Sequence, residues 1–406
     1  MTVGIFVGID WAEHHHDVAV VNADGAVLAK FRIGDDVAGL SRLSRALAGL
    51  SSSPAGVQVA LETDRGLLVA ALVAAGYRVF SVNPKSVDRY RDRYSVSGAK
   101  SDPGDALVLA HLLRTDGVRH RSLAADSQAV AVIAVLSRAH QDAIHLRQRE
   151  ASRLRSLLRE FFPAALTAFP AVATRSAMVV LGAAPTPQAA ARLSCAELHK
   201  LLQSTGRRGV PVKAAERLRQ IFTAEQLRHP AAVEEAMGCA VRTILTSLIA
   251  YDNAIKDLEA ELTKHFEQHP HAEILHSLPG LGVVLGARML SEFGDDPDRF
   301  TDPAARRCYA GTAPVTRASG KSRIVLMRRA RNERLADACR WWAFNAIGKS
   351  EGADAYYRRR RAAGEPHEAA LRRLANKLLG QLHHCLQHHQ LYREDIAWPT
   401  QVDHAA

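Results

Sequence analysis

Two aspartates open the most informative stretch of the chain, Lys100-Ser101-Asp102-Pro103-Gly104-Asp105-Ala106. Residues three apart share a helix face, so Asp102 and Asp105, at the mouth of a helix that runs on through Leu113, project side by side. Such a pair can grip a divalent cation. The same letters also suit plain helix capping, with Asp102 as N-cap, Pro103 at N1 and an acid at N3. Two further acids favour chemistry over capping. Asp10 ends the apolar run 3–9 and Glu62 ends the apolar run 57–61. Both runs have the composition of buried strands, and a buried strand has no structural need for an acid at its end. Brought together, Asp10, Glu62, Asp102 and Asp105 would repel one another unless cations neutralised them. All-oxygen ligands point to Mg²⁺, or Mn²⁺, as the occupant. Metal at such a site activates an attacking oxygen or stabilises charge developing on a phosphate.

A second candidate lies far downstream in 313–323, Ala-Pro-Val-Thr-Arg-Ala-Ser-Gly-Lys-Ser-Arg. Ser319 precedes a glycine, so its hydroxyl stands on a tight turn, with Arg317, Lys321 and Arg323 ready to neutralise a phosphate. A serine there is either a local hydrogen-bonder or a nucleophile, and its chemistry alone leaves both open. Upstream, Leu278-Pro279-Gly280-Leu281-Gly282 reads as a turn between two helices, which is either an ordinary connection or a backbone grip on a phosphate through Gly280 and Gly282. From Arg306 to Arg373 there are 17 Lys and Arg against 6 Asp and Glu, a surplus equal to the net charge of the whole chain, +11. The polyanion-binding surface is expected mainly here, with Arg328, Arg329 and Arg331 beside the serine segment.

The elements that would carry these groups follow from periodicity. Residues 3–10, 18–21 and 27–33 alternate as a three-strand meander with a polar bend at 13–16, where the run His14 to His16 reads as a solvated turn. A helix over 37–50, the strand ending at Glu62, a helix over 66–75, a strand over 78–82 and the acidic helix complete an α/β ribonuclease H-like (RuvC-like) order. Beyond it the chain is almost wholly helical. Residues 125–162 turn basic in their second half (Arg147, Arg149, Arg153, Arg155, Arg159), either a solvated face or a phosphate track. Residues 163–238 read as an irregular helical insertion. Apolar residues at intervals of three and four from 239 to 266 give a long amphipathic helix of coiled-coil character, whose partner is 125–162 of the same chain or of another. The expected domains are 1–120, 121–270, 271–350 with a helix-hairpin-helix-like element, and a basic helical tail over 351–406.

With 406 residues, 47% of them hydrophobic, the chain is long enough for two or three domains. The positive balance favours a polyanionic partner, nucleic acid or an acidic membrane surface. No apolar run reaches the ~18 residues of a membrane span and the N-terminus lacks a signal layout, so the expected location is cytoplasmic, at the nucleoid. Five scattered cysteines lack metal or disulfide spacing.

Taken in order, Gly8-Ile9-Asp10 with its meander, Leu61-Glu62-Thr63, Val82-Asn83-Pro84, Lys100-Ser101-Asp102 with Asp105-Ala106, Pro279-Gly280-Leu281-Gly282, Tyr309-Ala310-Gly311, Ala313-Pro314 and Ser319-Gly320 resemble the DEDD transposases of bacterial insertion sequences, relatives of the Piv DNA invertase. That resemblance implies a RuvC-like nuclease domain whose four acids, here Asp10, Glu62, Asp102 and Asp105, hold divalent metal. It also implies a long helical segment and a transposase domain with a catalytic serine, here Ser319. Members are recombinases that act as oligomers and use a structured guide RNA to pair with donor and target DNA. The acids and Ser319 are more than 200 residues apart, and a site composed from two copies is expected on the same ground. The chain departs from the pattern at Arg331-Asn332, where the family usually has Gly-Asn, and in its longer middle and tail. Two other readings stand beside this one: a junction resolvase or nuclease that uses water, and an actin-like kinase, which also opens on Gly-Ile-Asp. Trp11-Ala12-Glu13 replaces the small phosphate-cradling turn that a kinase would need.

Overall fold

The computed structural model describes residues 4–92, 101–120, 122–123, 126–206, 211–300, 302–320 and 322–399. The chain divides into two compact units, Met1–Asp126 with Asp296–Arg299, and Ser127–Asp295 with Phe300–Ala406.

In the first unit β1 (Ile5–Trp11), β2 (His15–Val21) and β3 (Val27–Gly34) form the antiparallel meander, followed by α1 (Val37–Ala48), β4 (Val57–Leu61), α2 (Leu67–Ala74), β5 (Arg78–Ser81), α3 (Pro84–Asp92) and α4 (Asp102–Asp116). The sheet order is β3-β2-β1-β4-β5, with β4 and β5 parallel to β1. Alternation along each strand sorts the side chains onto two faces. Ile5, Val7, Ile9, Val57, Val59 and Leu61 pack with Leu43 and Leu47 of α1 and Leu68 and Leu72 of α2. Ala60 and Phe80 face the other way, onto Val87 and Tyr90 of α3 and Leu109, Leu112 and Leu113 of α4. The acidic helix therefore covers one face of the sheet, and β1 and β4 run in the same direction beneath it.

The second unit begins with α5 (Gln128–Phe161), capped by Ser127, whose hydroxyl accepts from the Val130 N–H. Five helices follow: α6 (Pro163–Ala168), α7 (Arg175–Ala183), α8 (Pro187–Arg192), α9 (Cys195–Gln203) and α10 (Val212–Thr223). They enclose a core of their own with α5 and α11 (Ala231–Glu267), which starts eight residues earlier than the sequence pattern suggests. Leu154 and Leu158 of α5 share that core with Ile244 and Leu248 of α11, whereas Val130 and Ile133 share the other core with Leu262 and Phe266. The two long helices thus pack antiparallel within one chain. The basic face of α5 is partly engaged inside the unit: Arg147 donates to Asp252 and to the Ala173 carbonyl, and Arg155 to the Pro170 carbonyl.

The remaining elements are α12 (Ala272–Ser277), α13 (Val283–Phe293), α14 (Pro303–Tyr309), β6 (Val315–Ser319), β7 (Ser322–Leu326), α15 (Glu333–Ile347), α16 (Glu351–Ala362), α17 (His367–Gln387) and the short α18 (Glu394–Ala397). Leu374, Leu378 and Leu382 of α17 enter the same core as Met289 of α13 and Trp342 of α15. No helix among the described residues is long and apolar enough to cross a membrane.

Candidate active site

One glycine brings the acidic helix α4 against the sheet whose strand β1 carries Asp10. A Cβ on Gly8 would lie 1.9 Å from the Ala106 carbonyl oxygen and 2.5 Å from the Ala110 nitrogen. Only the missing side chain lets α4 cross β1 at backbone contact, and that crossing sets Asp105, the residue before Ala106, at the sheet. Asp10 lies two residues beyond Gly8 and so shares the α4 face. Glu62 directly follows β4, whose Ala60 packs on that same face. Ile9 is in register with Leu61, so Asp10 and Glu62 leave adjacent parallel strands side by side.

The surroundings of the helical acids bear on the choice between capping and chemistry. The N-cap of α4 is Ser101, and Asp102 already belongs to the helix, so Asp102 is not the capping residue that the letters allow. Asp105 is almost fully buried, and Arg91 of α3 donates to its Oδ1 at 2.7 Å. Lys100 lies outside the described residues.

The structure adds two residues that the sequence reading passed over. Asp17 faces Asp10 directly across the β1–β2 ladder, and His15 lies two residues earlier on the same face. The ligand atoms of His15, Asp17 and Asp102 all fall within 4.8 Å of one another. Arg32 of β3 makes a two-pronged contact with Asp17, at 3.2 and 2.9 Å. That hydrogen bonding raises the Arg32 pKa, and the charge of Asp102 adds to the effect. The run His14 to His16 is therefore a solvated turn only at His14, which is exposed in the bend before β2. His15 and His16 open β2, and His16 is fully buried, stacked on Trp11 with a nitrogen 3.2 Å from Asp35. His15, Asp17 and Asp102 together make a donor group suited to a divalent cation, with oxygen ligands in the majority.

Ser319 belongs to the second unit. It is the last residue of β6, paired with Ser322 across a turn through Gly320, whose φ of +52° suits glycine. Residues opposed in a ladder share a face, so Arg317, Ile324 and Ser322 lie on the face of Ser319, while Arg323 lies on the reverse. Arg317 and Ser319 are thus exposed on one face of the hairpin and Arg323 on the other. Lys321 lies outside the described residues. From Thr316 to Met327 every described residue is exposed. The base of the hairpin is firmly held. The Asn332 side-chain amide donates to buried Glu292 at 2.6 Å and to the Tyr309 hydroxyl at 3.1 Å, and its oxygen caps α15 at the Leu335 N–H. Glu292 is gripped in turn by Arg138 of α5 at 2.9 Å. Arg331 binds Glu333 and lies against Gly311, so it braces the hairpin as well as adding charge. Arg329 is exposed and Arg328 half-buried.

The Pro279-Gly280-Leu281-Gly282 turn joins α12 to α13, and the Trp342 indole pins it by donating to the Pro279 carbonyl at 2.9 Å. Gly280, Gly282, His276, Asn345 and Lys349 line an open cavity of about 530 Å³ there.

This geometry has counterparts in known proteins. Residues 7–163 match the model of the DEDD transposases of IS110 type, and residues 272–358 match the model described as "Transposase IS116/IS110/IS902 family". The chain is 50% identical over 407 aligned residues to the "Mini-circle putative transposase for IS117" of Streptomyces coelicolor, covering 99% of this chain and 98% of the relative. It is 30% identical to an insertion element IS116 protein of Streptomyces clavuligerus, over 96% of both chains. An insertion element IS900 protein of Mycobacterium paratuberculosis is 29% identical over 97% of this chain and 98% of its own length. A mixed sheet with an acid-bearing helix across it, followed by a largely helical unit, is compatible with a DEDD transposase of ribonuclease H-like type, and the chain belongs to the IS116/IS110/IS902 family of transposases. It is an enzyme that acts on the DNA of an insertion sequence, and divalent metal is general in its DEDD class.

Proposed function

We propose that the protein cuts and rejoins DNA strands by transesterification through Ser319, with Asp10, Glu62, Asp102 and Asp105 holding Mg²⁺ or Mn²⁺. The observation that best supports this is the close crossing of α4 over β1 at Gly8, which lays the helix bearing Asp102 and Asp105 on the sheet whose strands β1 and β4 lead to Asp10 and Glu62. Acids scattered by folding would owe nothing to such a crossing. When bound, the ion supplies positive charge to the scissile phosphodiester. The side chains do the rest. Arg317 steadies the phosphate on the face of the hairpin that carries Ser319. The Ser319 oxygen forms an ester bond to phosphorus as the bond to the departing sugar oxygen breaks, the serine proton is released, and the sugar oxygen leaves as a hydroxyl after protonation. A sugar hydroxyl from a second strand can then attack that ester, restoring the serine and joining new partners without an external energy source. The family resemblance and the basic stretch 306–373 further support a structured guide RNA as partner, with the protein working as a homo-oligomer, a dimer or tetramer, at the nucleoid.

The test is a denaturant-resistant protein–DNA adduct formed with DNA, RNA and Mg²⁺, mapped by mass spectrometry. Wild type is expected to carry it on Ser319, and Ser319→Ala to form none. An adduct on Ser322, which faces the same way, would move the nucleophile; cutting without any adduct would make the protein a nuclease that uses water.

A further inference from the structure

The second unit contains a further cavity, of about 930 Å³, lined by residues of α14, α17 and the segment that follows α17. Its wall is built to hold a cation. Gly380 stands in the middle of α17, where glycine costs about 1 kcal/mol relative to alanine. A Cβ there would lie 2.0 Å from Nη2 of Arg307, so the glycine is the notch that admits the guanidinium. Arg307 Nε is buried without a hydrogen-bond partner, and so is Oε1 of the neighbouring Gln381. Lys377 lies one turn earlier on α17, its ammonium 5.5 Å from the Trp398 ring. No carboxylate stands among the lining residues, and Arg393, the third cation there, is already paired with Asp395 at 2.6 Å.

The opposite wall is apolar and preformed. Leu391 and Ile396 line it while remaining 49% and 60% exposed. The segment that carries them is fastened at several points. The Tyr392 N–H donates to Ser277 Oγ at 2.9 Å, Gln381 Nε2 to the Ala397 carbonyl at 3.0 Å, and the Trp398 indole to the Tyr392 hydroxyl at 2.9 Å. Glu394 accepts from Ser350 Oγ and the Gly352 N–H at the start of α16.

An occupant must therefore bring negative charge to Arg307 and Lys377 and a flat, largely apolar body to Leu391, Ile396 and Tyr392. A nucleotide with its base free meets both demands, whereas a duplex keeps its bases stacked inside and can present only phosphates to a concave site. We propose that this cavity seats one or two unpaired nucleotides of a nucleic-acid strand, phosphate on Arg307 and Lys377, base against Leu391 and Ile396. This rests on the reading that the protein handles nucleic acid strands, and it assigns a place where an unpaired one is held.

The experiment measures affinity of the full-length protein for labelled single-stranded DNA, single-stranded RNA and a duplex of the same sequence. Lys377→Gln and Arg307→Gln are each compared with wild type after thermal unfolding confirms that they fold. Each is expected to lose roughly ten-fold in affinity for an unpaired strand while duplex affinity changes less than about two-fold. In parallel, a photo-cross-linking base in the unpaired strand is expected to attach to the segment 390–397. Whether the DNA or the RNA strand suffers the larger loss identifies the source of the nucleotide. Equal losses on strand and duplex, or no loss on either with cross-links elsewhere, would overturn the proposal while leaving the transposase chemistry untouched. A wild-type protein that binds no nucleic acid at all would sink both.

Discussion

Asp17 and Asp102 are where single residues say most. Their carboxylates approach each other with His15 alongside and Arg32 clasping Asp17 from the strand behind. Groups of this kind around a metal-binding acid typically shift activity or metal affinity by about 10–100-fold when altered. Asp17→Asn is therefore expected to lower strand exchange by that order and to raise the Mn²⁺ concentration needed for half-maximal rate. A wild-type metal titration curve in this variant would return Asp17 to a purely structural pairing with Arg32. The quartet itself carries the stronger expectation. Asp10→Asn, Glu62→Gln, Asp102→Asn and Asp105→Asn should each abolish strand exchange in Mg²⁺ with circular dichroism unchanged; full activity in any two would remove the metal assignment.

At the level of elements, the β1–α4 contact gives the sharpest test. Gly8→Ala forces a methyl into the backbone of α4, and overpacking of this kind costs about 1–3 kcal/mol. The variant should melt at a lower temperature and lose strand exchange out of proportion to its stability, because the whole first turn of α4 is displaced. Unchanged exchange at a temperature where the variant is folded would show that the acids tolerate a looser helix. This contact also shows what the letters could and could not reveal. Asp10 and Glu62 stand out in the sequence because an acid closing an apolar run is conspicuous, and Asp102 with Asp105 because helix spacing is regular. Gly8 was legible only as part of a motif, since closeness to another backbone leaves no mark on neighbouring residues. His15 and Asp17 were missed because three consecutive histidines read as a turn, although strand alternation buries one and turns the next toward Asp102. The hairpin β6–β7 was read as a bare turn, its Val-Thr and Ile-Val-Leu runs overshadowed by the cations between them. In α7 to α9 the apolar faces are rich in alanine, which weakens periodicity; the caps Thr174, Thr186 and Ser194 with Glu197, a complete capping box, were the signal available.

Over the whole molecule, the positive balance is less free than the count of charges implies. Within the basic stretch, Arg331 pairs with Glu333, Arg334 with Asp142, Arg340 with Glu368, Arg358 with Asp354, and Arg360 and Arg373 with Glu365. Arg306 is buried between the rings of Phe293 and Phe300. Far fewer than 17 cations are therefore available to neutralise phosphates. If about five do so, the slope of log affinity against log salt on duplex DNA is near ~4.5. A titration from low to high salt checks this: a flat line would exclude phosphate neutralisation as the basis of binding, and a slope near ~15 would mean that the internal pairs open on contact with DNA.

The bare hairpin has a consequence of its own. A two-stranded ribbon uncovered on both sides is only marginally ordered in water, and here its far end carries the serine proposed to attack DNA. In a solitary copy that hydroxyl rides on a ribbon whose described residues from Thr316 to Met327 are all exposed. A passenger that lives inside its host's chromosome is harmed by stray breaks as much as the host is. A serine whose ribbon orders only when a large partner covers it would be kept from making such breaks.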